Sequence, residues 1–220
     1  MKHLSRICLF VLISFAGVFA TTALAQNHVP MITALVLDAS GSISDSDFNV
    51  QKAAAIKFML ASHELSKVYG GERSDWVAVS FFGTDDLYAG IPFVNVNRQN
   101  DLAEGIRAVA GYPHPKSGTA IYTAILKATV EVEQQYGSLP GFYMRNIILV
   151  TDGQDNSSRR DAKQLVEQAF PNSEFNLIVV GVGKDAKIDQ FKNIADMTMM
   201  IDDYDELVAA LLAARHALSN

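Results

Sequence analysis

The sequence predicts an α/β fold: an open sheet of about six strands, mainly parallel, with helices on both faces. Three observations carry this prediction. Short β-rich apolar runs alternate along the chain with longer stretches of helical spacing. Four of those runs, Met31–Leu37, Trp76–Phe82, Asn146–Thr151 and Phe175–Val180, are almost continuously apolar, as strands covered on both faces must be. The 220 residues are 49% hydrophobic and 19% charged, enough apolar mass for a sizeable core and incompatible with a disordered, collagen-like or mucin-like chain.

Residues 1–25 stand apart from that pattern. Lys2, His3 and Arg6 precede the apolar run Ile7–Phe19, and Ala23-Leu24-Ala25 then supplies small residues where a signal peptidase needs them. The expectation is a secretory signal peptide cleaved after Ala25, leaving 26–220 as one domain exported to the periplasm or secreted. A membrane anchor is the alternative, but the run is short for a span. A signal of this type on a short mature chain suits a bacterial envelope protein. Cys8, the only cysteine, falls inside the signal, so the mature chain would hold neither a disulfide nor a thiolate metal site.

In chain order, Met31–Leu37 reads as a buried strand and Asp45–Tyr69 as a helix with Phe48, Ala55, Ile56, Met59 and Leu60 on one broad face. Trp76–Phe82 is a second buried strand. Ile91–Val96 alternates and contains Pro92, which places it at an edge, as the one antiparallel strand of the sheet. Thr119–Tyr136 shows Ile121, Ile125, Ala128 and Val132 at helical spacing, ahead of the strands Asn146–Thr151 and Phe175–Val180. A short helix over Ile188–Ala195, a last strand Met197–Ile201 and a helix over Asp205–Leu218 complete the reading, with Asp203 and Glu206 spaced as a capping box. Gly70-Gly71 and Gly111–Gly118 are loops.

Eighteen Lys and Arg against 24 Asp and Glu give a net charge of −6 with no basic run, which argues against nucleic acid as a partner. No transmembrane segment is expected in the mature chain, because no later stretch is apolar for long enough.

Candidate chemistry gathers at the ends of apolar strands. The first strand runs into Asp38-Ala39-Ser40-Gly41-Ser42, an acid and two hydroxyls at alternate positions. Ligands bind at the carboxyl ends of strands in open α/β sheets, although these residues can equally cap the helix near Asp45. Thr119 follows Lys116-Ser117-Gly118 at a helix start, and Thr151-Asp152-Gly153 ends another apolar strand. Each has a plain alternative, Thr119 as an N-cap and Asp152-Gly153 as a turn. Together they offer two carboxylates and three hydroxyls with no histidine or cysteine. Such an all-oxygen set suits Mg²⁺, Mn²⁺ or Ca²⁺ and is ill suited to zinc or copper.

These residues resemble the von Willebrand factor type A domain, also seen as the inserted domain of integrins. Its metal-ion-dependent adhesion site reads D-x-S-x-S, then a Thr, then an Asp. The stretches V-L-D-A-S-G-S-I-S, S-G-T-A-I-Y-T-A-I, I-L-V-T-D-G-Q-D-N and I-V-V-G-V-G occur here in the family's order. The resemblance implies a Rossmann-like fold and one divalent cation, Mg²⁺ before Mn²⁺ or Ca²⁺. It further implies that Ser40, Ser42 and Thr119 ligate through hydroxyls and that Asp38 and Asp152 bind directly or through water. The open position would take an Asp or Glu carboxylate of a protein partner, making the site a grip and not a catalyst. It also implies that the final helix, Asp205–Leu218, shifts when the metal changes ligands.

Two other functions compete. One is a scaffold subunit of an envelope complex, with a metal that only orders loops. The other is a dinucleotide-dependent enzyme, since Gly181, Gly183 and Ala186 fit G-x-G-x-x-A with Asp202 downstream, although too little chain follows for such a domain. No G-x-S-x-G, H-E-x-x-H or P-loop occurs, and no enzyme activity is expected. His114, Tyr112 and Thr84–Tyr88 are read as rim residues open to partner contact or as plain surface loop. Asp155 and Asn156 are read as outer groups around the metal's waters or as turn formers.

Overall fold

The computed structural model describes residues 29–69 and 74–218. The expected signal peptide and Gly70-Gly71 lie outside the described residues. One sheet has the order β3-β2-β1-β4-β5-β6, built from β1 (Met31–Asp38), β2 (Trp76–Phe82), β3 (Tyr88–Asn95), β4 (Met144–Thr151), β5 (Phe175–Val182) and β6 (Met197–Ile201). Every pairing is parallel except β2 with β3. The edge strand starts three residues before the expected Ile91. Its pairing slips between Val79↔Ile91 and Val77↔Val94, leaving one extra residue around Pro92 and Phe93. A bulge on an edge strand is where a residue without an N–H costs least.

Helices α1 (Asp45–Tyr69), α2 (Gln99–Gly111), α3 (Ile121–Gly137), α4 (Ala162–Ala169) and α5 (Leu207–Leu218) cover both faces. The strands' alternation divides the core. Leu35, Leu37, Val79, Phe81, Ile148 and Val150 face α1, α2 and α5, whereas Ala34, Val36, Ile147, Leu149 and Val179 face α3 and α4. Phe58 joins the buried face of α1, and Leu60, expected there, points outward. In α3 the four expected residues, Ile121, Ile125, Ala128 and Val132, are all buried.

Three expectations need correction. Helices α2 and α4 were not among the predicted elements. Residues 188–191 make a single 3-10 turn instead of a helix reaching Ala195. At the last helix, residues 204–206 form a 3-10 turn in which the Asp203 carboxylate accepts from Asp205 N at 2.9 Å, and Glu206 reaches Asp202 N at 3.4 Å. The capping residues are the expected ones, but the tighter turn moves each bond by one position. No helix among the described residues is long and apolar enough to cross a membrane.

Candidate metal centre

From β1 the chain moves through β2 to β3 on one side, then crosses back through α3 to β4 on the other. Loops leaving β1 and β4 therefore part in opposite directions and open a crevice at the sheet's carboxyl edge. Asp38 ends β1, and Thr151 ends β4 just before Asp152.

Asp38 is fully buried. One carboxylate oxygen accepts the Ser40 N–H at 2.9 Å and the other accepts the Thr151 hydroxyl at 2.6 Å. Beyond it, the Ser40 and Ser42 hydroxyls lie 2.9 Å apart, and Ser42 donates to Asp152 Oδ1 at 3.0 Å. Thr119 is buried in the loop ahead of α3. Its N–H donates to Asn156 Oδ1 at 3.0 Å and its carbonyl accepts from Asn156 N at 2.9 Å and Ser157 N at 3.1 Å, which fastens it to the loop after β4. Its methyl carbon lies 4.0 Å from where a Cβ on Gly153 would be, against the Asp152-Gly153 turn. The same loop meets the first one, because Gly41 N donates to Ser117 O at 2.7 Å. All three sequence segments thus converge.

The capping alternatives do not describe these residues. The start of α1 is capped by Ser44, whose Oγ accepts from Asp47 N at 3.1 Å and donates to Asp47 Oδ2 at 2.6 Å. The residue ahead of α3 is Ala120, not Thr119, and the helix's first N–H groups go to Asp155 (from Ile121, 2.7 Å) and Ser158 Oγ (from Thr123, 3.1 Å). Asp155 and Asn156 therefore hold the Thr119 loop through its backbone.

The surrounding residues are more committed than the sequence suggests. The His114 side chain is only 7% exposed, stacks on Phe48 at 4.3 Å between ring centroids, and bridges Asp45 Oδ1 (2.9 Å) to Ser40 O (3.3 Å). It braces the first loop from beneath. Asp85 accepts the Thr123 hydroxyl at 2.5 Å and Arg159 N at 3.2 Å, and Tyr88 donates to Glu131 at 2.8 Å, while Tyr112 stacks on Phe81 at 4.3 Å. Of the predicted rim residues, Thr84 and Asp86 are the exposed ones. The β2–β3 connection is pressed so closely on Ser117 that a Cβ at Gly83 would fall 1.7 Å from the serine hydroxyl.

Two polar groups that the sequence did not single out stand behind this oxygen set. Gln51 donates to the Asp38 carbonyl at 3.0 Å while its own Oε1 is buried without a partner. The Tyr204 hydroxyl is likewise buried, and neither atom has a hydrogen-bond partner among the described residues. No local motif marks either, since Gln51 meets Asp38 through the packing of α1 and Tyr204 sits in the β6–α5 connection.

Burial pushes the Asp38 carboxyl up to about 6, against the opposing hydrogen bonds from Thr151 and Ser40 and with a small further push from the charge of Asp152. Asp152 is also raised, first by burial, with the Ser42 hydrogen bond opposing and the charge of Asp47 adding. Among the described residues no three carboxylates, imidazoles or thiolates are placed to hold a metal ion by themselves. The donor set is two acids whose burial disfavours their charge, with neighbouring hydroxyls, chemistry matched to a hard cation.

The dinucleotide reading fails on geometry. Gly181 lies inside β5, paired with Thr151 and Met200, where a Cβ would come 2.5 Å from Ile188 Cγ2. Gly183 has φ +77°, and a turn and a 3-10 segment follow it, so no α-helix N-terminus is presented to a pyrophosphate.

The model of the von Willebrand factor type A domain matches residues 34–210. Among solved structures, a von Willebrand factor type A protein from Catenulispora acidiphila aligns at 19% identity with a TM-score of 0.65, over 87% of this chain and 42% of that one. The pilus adhesin SpaC from Lactobacillus rhamnosus GG aligns at 13% identity and 0.65, over 88% and 31%. Proximal thread matrix protein 1 of the mussel byssus, in a form whose adhesion-site motif is occupied by zinc, aligns at 16% and 0.64, over 85% and 47%. At these identities the likeness is one of fold, and this chain spans less than half the length of each. No curated protein matches. The family match covers most of the sequence and agrees with the sheet order and the convergent loops: the chain belongs to the von Willebrand factor type A domain family.

Proposed function

We propose that this protein is a cation-dependent protein-binding module, in which Asp38, Ser40, Ser42, Thr119 and Asp152 hold one divalent cation and an Asp or Glu of a partner completes its coordination. The observation that carries this reading is the spacing of the oxygens. Ser40 and Ser42 are 2.9 Å apart, and Ser42 and Asp152 3.0 Å. Adjacent ligands of an octahedral Mg²⁺ with bonds of 2.0–2.1 Å are about 2.9 Å apart, so a cation can take the place of the bridging protons with little movement. Bound there, the cation supplies an electrophilic position for an anionic oxygen.

The chain's own residues set the terms. Ser40 and Ser42 are neutral donors, so the two carboxylates alone balance a dication and leave it attractive to a third acid. Thr151 and the Ser40 N–H hold the buried Asp38 carboxylate in one orientation. Among the described residues, His114 is the imidazole in contact with these loops, and it is spent on Asp45 and the Ser40 carbonyl. The reading is therefore binding and not catalysis. A purely structural metal is less well supported, because Gly41–Ser117, Thr119–Asn156 and His114–Ser40 already order the loops.

Mg²⁺ is the first choice on ligand hardness, with Mn²⁺ and Ca²⁺ as alternatives; the zinc seen in the byssus protein makes zinc a necessary control. Export through a signal over residues 1–25, to the periplasm or the medium, fits a binding role of this kind, as do the adhesin and matrix proteins that share its fold. The test is capture of envelope and culture proteins by immobilised wild type and Asp152→Ala. The expected result is a set retained with Mg²⁺, released by chelator and absent from the variant. Equal capture by both would overturn the reading.

A further inference from the structure

Tyr204 lies in the short turn between β6 and α5. Ile201, the last residue of β6, pairs with Val182 at the carboxyl edge of the sheet, the edge at which Thr151 pairs with Gly181. The turn that follows, Tyr204–Glu206, packs on α1. Tyr204 is part of the core on the sheet face covered by α1, α2 and α5, the same core that takes in Ala39 and Ile43, in and just after the Asp38–Ser42 loop, and Phe48 of α1. The residue is 7% exposed, and its hydroxyl has no hydrogen-bond partner among the described residues.

A buried hydroxyl without a partner is costly, and native folds keep few of them. Phenylalanine would fill the same space without that cost. The hydroxyl is also not in neutral surroundings: after burial itself, the charges of Asp152, Asp38 and Asp47, in that order, raise its pKa. Asp152 and Asp38 are two of the five proposed cation ligands.

We propose that Tyr204 is a positioning residue of the cation site, its buried hydroxyl hydrogen-bonding, directly or through one water, to the oxygen cage of Asp38 and Asp152 when the cation is bound. The inference rests on the cation reading above and adds a residue that the five-residue motif does not contain. Outer groups of this kind orient the ligands and tune affinity, and their removal costs about 10–100-fold in metal binding. In the cation-free protein the same hydroxyl is a liability. Tyr204→Phe should therefore weaken cation binding without weakening the fold.

The experiment compares wild type and Tyr204→Phe, both stripped with chelator. Calorimetric titration with Mg²⁺ and Mn²⁺ is paired with thermal melting in chelator and with the near-ultraviolet tyrosine difference spectrum on adding Mg²⁺. The expected outcome is about tenfold weaker binding by the variant, a melting temperature in chelator that is unchanged or raised, and a difference band present in wild type and lost in the variant. Equal affinity in the two proteins, with wild type binding, would overturn the role of Tyr204 and leave the cation reading standing. A variant that melts several degrees lower in chelator would also overturn it, because the hydroxyl would then have a structural partner. Absence of binding by wild type would remove the cation reading and this inference together.

Discussion

Asp38 carries the sharpest energetic consequence. Its ordinary value of 3.8 is raised by burial to about 6, so the folded protein holds this proton more tightly than the unfolded chain. Below 3.8 both states are protonated and the group is neutral to stability. Between about 3.8 and 6 stability falls as pH rises, and above that range the whole cost is present, about 3 kcal/mol for a shift of this size. In chelator the protein should melt higher at pH 5 than this group allows at pH 7. Asp38→Asn should remove that part of the slope and raise the pH 7 melting temperature by several degrees while abolishing cation binding; an unchanged slope would contradict the assignment. Cation affinity should fall by up to about tenfold per pH unit below pH 6, where proton and cation compete, and level off above it. The acid and the hydroxyls of the motif were legible in sequence because they sit at fixed short spacings at strand ends. His114 and Tyr204 were not, since their roles come from contacts across 74 residues in the first case and from the return of a distant turn in the second.

At the scale of elements, what hid in the sequence was hidden for packing reasons. Helix α2 places Leu102, Ile106 and Val109 inward at helical spacing, but Gly105 interrupts its propensity. A Cβ there would meet Met59 Cε at 3.0 Å and Val94 Cγ1 at 3.1 Å, so a larger residue would press on its neighbours. Helix α4 buries only Ala162 and Val166, too short a stripe to stand out. Helix α3 depends on a borrowed cap, and Asp155→Ala should cost about 1 kcal/mol by thermal or denaturant unfolding, with a further loss of cation affinity as the Thr119 loop loosens. A change in neither would show the cap to be idle. Helix α5 is anchored by Arg215, whose guanidinium lies 2.6 Å from Asp75 Oδ2, both side chains nearly inaccessible, with Ser62 Oγ at 3.0 Å from its Nε. Asp75 also accepts the Met31 N–H at 3.0 Å. The helix displacement implied by family resemblance would have to pull this pair apart. Arg215→Leu should destabilise the fold by about 3–5 kcal/mol by removing one partner of a buried ion pair, and a loss under 1 kcal/mol would show the pair not to anchor the helix.

For the molecule as a whole, the order of strands explains why residues more than a hundred positions apart share one rim. Asp38 and Thr151 meet because β1 and β4 are neighbours at the one place where the chain changes sides of the sheet. The alternation of apolar runs made that sheet predictable, and the family resemblance supplied the convergence that periodicity alone does not give. A net charge of −6 attracts cations and, on the proposed reading, would oppose an acidic partner until a cation is in place. Raising the salt to about 0.5 M should therefore weaken cation binding several-fold. The most direct test of the central claim is calorimetric titration of the chelator-stripped protein with Mg²⁺, with Mn²⁺, Ca²⁺ and Zn²⁺ alongside, repeated on Ser42→Ala and Asp152→Ala. One saturable Mg²⁺ site per chain is expected, lost in both variants while their circular dichroism stays that of wild type; no binding by wild type, or undiminished binding by the variants, would contradict the cation reading.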